Sequence, residues 1–152
     1  MGASVVQQRG FLKRASKTIT FTGAAGLGAI GTFDLFTVTG EVLIAYLVPF
    51  CTTLVDVDAG TGVASMQLGL VNATNLFVAT TPAIDIDANE FWIDATPDAN
   101  GIAAPAACKD ILITQNIQGE VTSTGTKLVN AGVIRFDVYW LPLSSDGNLV
   151  PA

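Results

Sequence analysis

The feature that most constrains the fold is an alternation of period two near the C-terminal end. Across residues 133–141, Ile134, Phe136, Val138 and Trp140 alternate with Val133, Arg135, Asp137 and Tyr139. Successive side chains of a strand point to opposite faces, so the first set is predicted to face a core, with Arg135 and Asp137 in water. A helix would scatter the same residues around its circumference. One half-buried strand commits the chain to a sheet, because its apolar face must be covered and its backbone groups paired.

The rest of the chain reads the same way. Residues 17–22 are β-branched and aromatic, which suits a strand. In residues 30–39, Phe33, Leu35 and Thr37 are expected on one face, and Asp34, Phe36 and Val38 on the other. Residues 41–55 are apolar on both faces and predict a central strand, bent at Pro49. Residues 63–70 put Ala64, Met66, Leu68 and Leu70 on one face, and 75–80, 110–115 and 120–124 predict shorter strands. Turn chemistry separates them, at Asp58-Ala59-Gly60, Asn100-Gly101, Asn130-Ala131-Gly132 and Asp146-Gly147. One helical turn is expected within 103–109, where alanines gather. These signals predict an all-β chain, a single-domain β-sandwich or jelly-roll-like barrel with an extended N-terminal arm. The expected division is a basic arm over residues 1–17 and a β domain over 18–152.

Charge is distributed unevenly. Of 152 residues, 7 are basic and 13 acidic, for a net charge of −6. Four of the basics (Arg9, Lys13, Arg14 and Lys17) precede the first acid, Asp34. The arm is therefore +4, and the remainder, with 3 basics and 13 acids, is −10. An acidic body repels phosphate, so no nucleic-acid partner is expected. A basic arm suits an acidic neighbouring surface, and the alternative is a solvated tail. Half of the residues are hydrophobic and 13% are charged, which excludes general disorder and predicts surface buried against other chains. No secretory signal is expected, since no apolar segment follows the basic residues. No membrane partner is expected either. The uncharged run 42–55 is short and holds Pro49, and the longer run 59–84 holds Gln67, Asn72, Asn75 and three glycines.

Chemistry-bearing motifs are weak. The chain has no histidine, which removes the commonest general base, the commonest metal ligand and every Ser-His or Cys-His pair. Cys51 and Cys108 are expected to be buried free thiols, with a single bridge as the alternative. Gly26-Leu27-Gly28-Ala29-Ile30-Gly31 matches a dinucleotide-binding glycine pattern, but a strand rather than a helix is predicted after it. It is read as a glycine-rich connection between strands. Asp85, Asp87, Glu90, Asp94 and Asp98 form an acidic stretch whose opening resembles an EF-hand loop. Glu90 and Thr96 stand where that loop needs Gly and Glu, so the motif fails. An acidic loop or strand edge is the expectation, a looser cation site the alternative, and no metal ligand is assigned. Phe91 and Trp92 within the stretch are read either as core or as a surface or subunit interface. No catalytic residue and no cofactor is assigned, and the chain is expected not to be an enzyme.

Residues 17–42 (from Lys-Thr-Ile-Thr-Phe-Thr-Gly through Phe-Thr-Val-Thr-Gly-Glu-Val), 84–98 (Ile-Asp-Ile-Asp-Ala-Asn-Glu-Phe-Trp-Ile-Asp-Ala-Thr-Pro-Asp) and the ending Trp-Leu-Pro-Leu-Ser-Ser-Asp-Gly-Asn-Leu-Val-Pro-Ala carry a resemblance. Together they resemble small β-rich structural proteins of tailed bacteriophages, of the capsid decoration or cement type. The resemblance implies a virion protein on the capsid exterior, assembled in the host cytoplasm. Its implied partners are the major capsid protein and further copies of itself, with a homotrimer favoured. Arg9, Phe11, Leu12, Lys13, Arg14 and Lys17 are assigned to capsid contact from charge and apolar interleaving, since no arm motif matches residue by residue. The arm and an acidic edge are expected on the shell, with an apolar face between protomers. The competing readings are a host-glycan-binding virion protein using Phe91 and Trp92, and a tail-tube or head-to-tail connector subunit.

Overall fold

A computed structural model describes residues 11–152. Among them run nine strands: β1 (Lys13–Thr20), β2 (Gly31–Thr39), β3 (Val42–Val57), β4 (Ala64–Leu70), β5 (Ala73–Pro82), β6 (Lys109–Ile113), β7 (Ile117–Ser123), β8 (Val129–Pro142) and β9 (Asn148–Pro151). Two 3₁₀ turns, Ala83–Asp85 and Ala106–Cys108, interrupt them. The second falls within the helical turn expected from the alanines.

The strands form two antiparallel sheets, ordered β1-β8-β3-β6 and β5-β4-β7-β2-β9. They pack face to face as a single β-sandwich. Long β3 and β8 are the middle of the first sheet because both bury alternate side chains inward along most of their length. Ile134, Phe136, Val138 and Trp140 all face the core, as the alternation predicts. Phe33 lies at the centre of the interior, edge-on to Phe21 with ring centroids 5.5 Å apart and tilted against Phe136 at 6.2 Å. Such aromatic pairs add about 0.5–1.5 kcal/mol beyond their burial.

Three expectations are corrected. First, β1 begins at Lys13, so Lys13, Arg14 and Lys17 belong to the sheet and not to an arm. Arg9 lies outside the described residues. Second, the pairing of β2 with β7 slips between Asp34 and Phe36, which marks a bulge. Leu35 and Phe36 therefore both turn inward, each fully buried, and Thr37 is left exposed. Third, β9 was not anticipated; it pairs with the second half of β2 and buries Leu149.

Candidate functional site

The sandwich has two unlike outer faces. On the five-stranded sheet the outer face is polar and hydrogen-bonded. Gln67 Nε2 donates to Thr74 Oγ1 (2.9 Å) and Glu120 Oε2 (2.6 Å), and Thr80 Oγ1 donates to Gln67 Oε1 (2.7 Å). A net of this kind satisfies itself and leaves the rest of its capacity to water.

The outer face of the four-stranded sheet is apolar at one end. Leu43 on β3 stands directly opposite Leu112 on β6 and Leu141 on β8, giving a row of leucines across three strands. Leu112 is 70% exposed, Leu143 beside it 51%, and Phe11, on the far side of Leu143, 77%. Leu143 forms a ridge between two open grooves. One, of about 380 Å³, is lined by Phe11, Leu43, Leu141, Pro142 and Leu143. The other, of about 330 Å³, is lined by Glu41, Leu112, Ile113, Thr114 and Leu143. Clustered apolar exposure of this kind marks a protein interaction surface, whereas single exposed leucines do not.

Further along the same face the rows become aromatic and charged. Tyr46 faces Tyr139, Val48 faces Asp137, and Phe50 faces Arg135. The Phe50 ring lies 5.0 Å from Phe91 and 5.6 Å from the Arg135 guanidinium carbon. Asp137 accepts from Arg14 Nη2 at 2.5 Å and from Arg135 Nε at 2.7 Å. Burial pushes the Asp137 carboxyl up, but hydrogen bonds from Ser16, Arg135 and Arg14 outweigh it and hold it below its ordinary value.

The residues assigned to capsid contact are placed differently from one another. Phe11 is free at the mouth of one groove, and Leu12 is half-buried beside it in sequence. Lys13 Nζ sits 5.0 Å from the centroid of the Trp140 ring. Arg14 is held by Asp137. Lys17 Nζ reaches across to the other sheet and donates to the carbonyls of Asp34 (2.8 Å) and Ala152 (2.7 Å). Three of the expected contact cations are thus bound within the fold.

Trp92 is not at a surface. It has no exposure, and its indole N–H donates to buried Thr81. Phe91 is half-buried against Phe50. The acidic stretch forms a loop whose carboxylates serve its own backbone. Glu90 accepts from the Asp87 amide, Asp94 from Thr96, and Asp98 from the Asn100 amide. Among the described residues no group of three or more Cys, Asp or Glu converges on a metal-sized space. The glycine pattern at 26–31 is a connection between β1 and β2, with no helix after it. An added Cβ at Gly28 would lie 1.9 Å from the Val129 carbonyl oxygen, so glycine there permits close packing against β8. Cys51 and Cys108 are buried free thiols.

Leu43, Leu112, Leu141 and Leu143 were not singled out by the sequence. Only Leu43 falls in a run read as apolar on both faces; Leu112 and Leu141 lie in other predicted strands, and Leu143 lies just beyond the end of β8. Which side of each strand would be covered depends on where the second sheet packs. No protein-family model matches the chain, and neither a curated protein nor a solved structure matches it.

Proposed function

We propose that the chain is a structural tile of a phage capsid exterior, cementing the shell by docking the leucine-rich face of its four-stranded sheet. The observation that carries this reading is the contrast between the two outer faces. One is a satisfied polar net suited to solvent, and the other is an apolar surface with two grooves. The virion context comes from the sequence resemblance. Phe11 supports the orientation, because the N-terminal end of the described chain joins the apolar face. This reverses the sequence-based assignment, which put an apolar face between protomers. The partner is the major capsid protein.

Docking of this kind needs no catalytic group. Each apolar contact contributes about 25 cal/mol per Å² removed from water. Several linked copies raise the overall affinity by up to ~10²–10⁴ over one contact. The glycan-binding alternative loses its platform, since the Trp92 indole lies in the core.

The experiment is stoichiometry in purified particles, against the major capsid protein. A ratio near one to one supports a shell-wide cement, and a few per cent moves the chain to the tail or connector. Leu112→Ser combined with Leu143→Ser should cut occupancy about tenfold while the free protein stays folded, because both side chains are largely exposed. Full occupancy by that variant would refute docking through this face.

A further inference from the structure

The four-stranded sheet is electrically lopsided from edge to edge. Among the described residues, strand β1 pairs with β8 alone and so forms one edge. It carries Lys13, Arg14 and Lys17 and no acid. Their charge is not cancelled one for one. Lys13 rests on an aromatic ring, Lys17 binds two carbonyls, and Arg14 shares Asp137 with Arg135. Among the described residues, the outer side of β1 also offers backbone groups that no strand of the sheet takes up.

The opposite edge is acidic on balance, since the β6 strand that begins it carries one lysine, Lys109. Beyond β6, the segment 86–92 runs along β3 and hydrogen-bonds to it. Val55 N donates to Ile86 O (3.2 Å), Asn89 N to Cys51 O (2.8 Å), Cys51 N to Glu90 O (2.8 Å) and Trp92 N to Pro49 O (3.1 Å). Since β8 occupies the other side of β3, this segment lies on the flank that β6 begins. The segment carries Asp87 and Glu90 along β3 directly after Asp85, and Phe91 N donates to Asp98 O (2.9 Å), which folds the bend holding Asp94 back beside it. Among the described residues none of the five pairs with a lysine or arginine.

We infer that copies of this chain associate side by side, the basic β1 edge of one against the acidic 85–98 flank of the next. Like edges repel: two β1 edges would oppose three cations with three, and two flanks five acids with five. Basic against acidic is the pairing left. The contact joins two different patches, so each copy keeps one of each unused until rotation closes a ring. The contact uses the two edges of the sheet, whereas docking uses the leucine row. The inference is thus independent of docking through the leucine row, and either can fail alone.

The test is sedimentation velocity on the full chain. The wild type should self-associate at about 0.05 M salt and dissociate toward about 0.5 M, where screening has shortened to a few ångströms. Asp85→Lys, Asp87→Lys and Asp98→Lys together should weaken association by about tenfold or more, as should Lys13→Glu with Thr18→Glu. One chain carrying both sets should recover association to within about threefold. Asp85→Asn with Asp87→Asn is a milder flank variant, and a thermal melt confirms that each variant folds. Leu112→Ser should change nothing. A wild type that stays monomeric at low salt overturns the inference. So does a folded flank variant that associates normally, a doubly reversed chain that does not recover, or loss of association in Leu112→Ser.

Discussion

The Trp92 indole nitrogen donates to Thr81 Oγ1 at 3.0 Å, and neither residue has any exposure. The same hydroxyl donates to the Ala79 carbonyl at 3.0 Å, which aims its lone pairs at the indole. Thr81→Val keeps the shape and removes the acceptor. A buried N–H without a partner costs about 1–3 kcal/mol. At this chain length that lowers the melting temperature by about 2–12 °C. Thr81→Ser, which retains the oxygen, should fall well short of that loss. Melts followed by tryptophan fluorescence compare the two, and equal losses would show that packing rather than the hydrogen bond matters.

How much of this was legible in the sequence depended on what the solvent side of each strand had to do. Strand β8 could be read because one of its faces is core and the other is not. The bulge after Asp34 could not be read, since it is a backbone slip against β7 that no side chain announces. The start of β1 was hidden because its inward-pointing positions include Lys13 and Lys17. Their stems lie along the sandwich while the ammonium groups reach a ring and two carbonyls. Asp137 was placed correctly on the outer face, but its burial to 5% exposure comes partly from Arg14, 123 residues away. The leucine row exists only once β3, β6 and β8 are in register. The acidic stretch was visible as a charge run, whereas its place on one sheet edge follows from hydrogen bonds to β3.

Burial pushes the Cys51 thiol up to about 11 and the Cys108 thiol up to about 12. The Cys51 sulfur donates to the Thr53 carbonyl (3.1 Å), and the Cys108 sulfur to those of Phe77 (3.2 Å) and Ile93 (3.3 Å). Attack on a disulfide reagent needs an accessible thiolate, and both conditions fail here. Labelling of the native protein near neutral pH should therefore be slow, and should accelerate with denaturant in step with unfolding. Rapid labelling of either cysteine without denaturant would contradict this burial.

Asp137 makes stability pH-dependent in one direction. Its carboxyl titrates lower in the folded chain than in the unfolded one. Its contribution is therefore complete above about pH 4, the ordinary aspartate value, and is lost as pH falls through the folded value. Asp137→Asn leaves Arg14 and Arg135 without their shared anion, so the variant should be less stable at neutral pH. The gap should shrink on acidification, because the wild type loses the same charge. Urea midpoints from about pH 7 down to about pH 3 measure it. A gap that stays constant over that range would mean the carboxylate charge contributes nothing.

Gly119 on β7 lies against the ring of Phe33, where an added Cβ would stand 2.0 Å from the ring's Cζ atom. The ring cannot withdraw, since it is 1% exposed and held between Phe21 and Phe136. Gly119→Ala must therefore displace the centre of the core or push β7 outward. Overpacking of this kind costs about 1–3 kcal/mol or more. Gly26→Ala is the instructive contrast. No atom lies within 4 Å of its added Cβ, and the penalty is the left-handed backbone at φ +72°. That conformation costs an ordinary residue about 1–2 kcal/mol and touches nothing else. Urea unfolding should rank Gly119→Ala as the more damaging. It should also alter the near-ultraviolet dichroism of the aromatic core, which Gly26→Ala should leave intact. If Gly119→Ala were as mild as Gly26→Ala and kept the aromatic signal, Phe33 would have room to move and the centre of the sandwich would be looser than this packing requires.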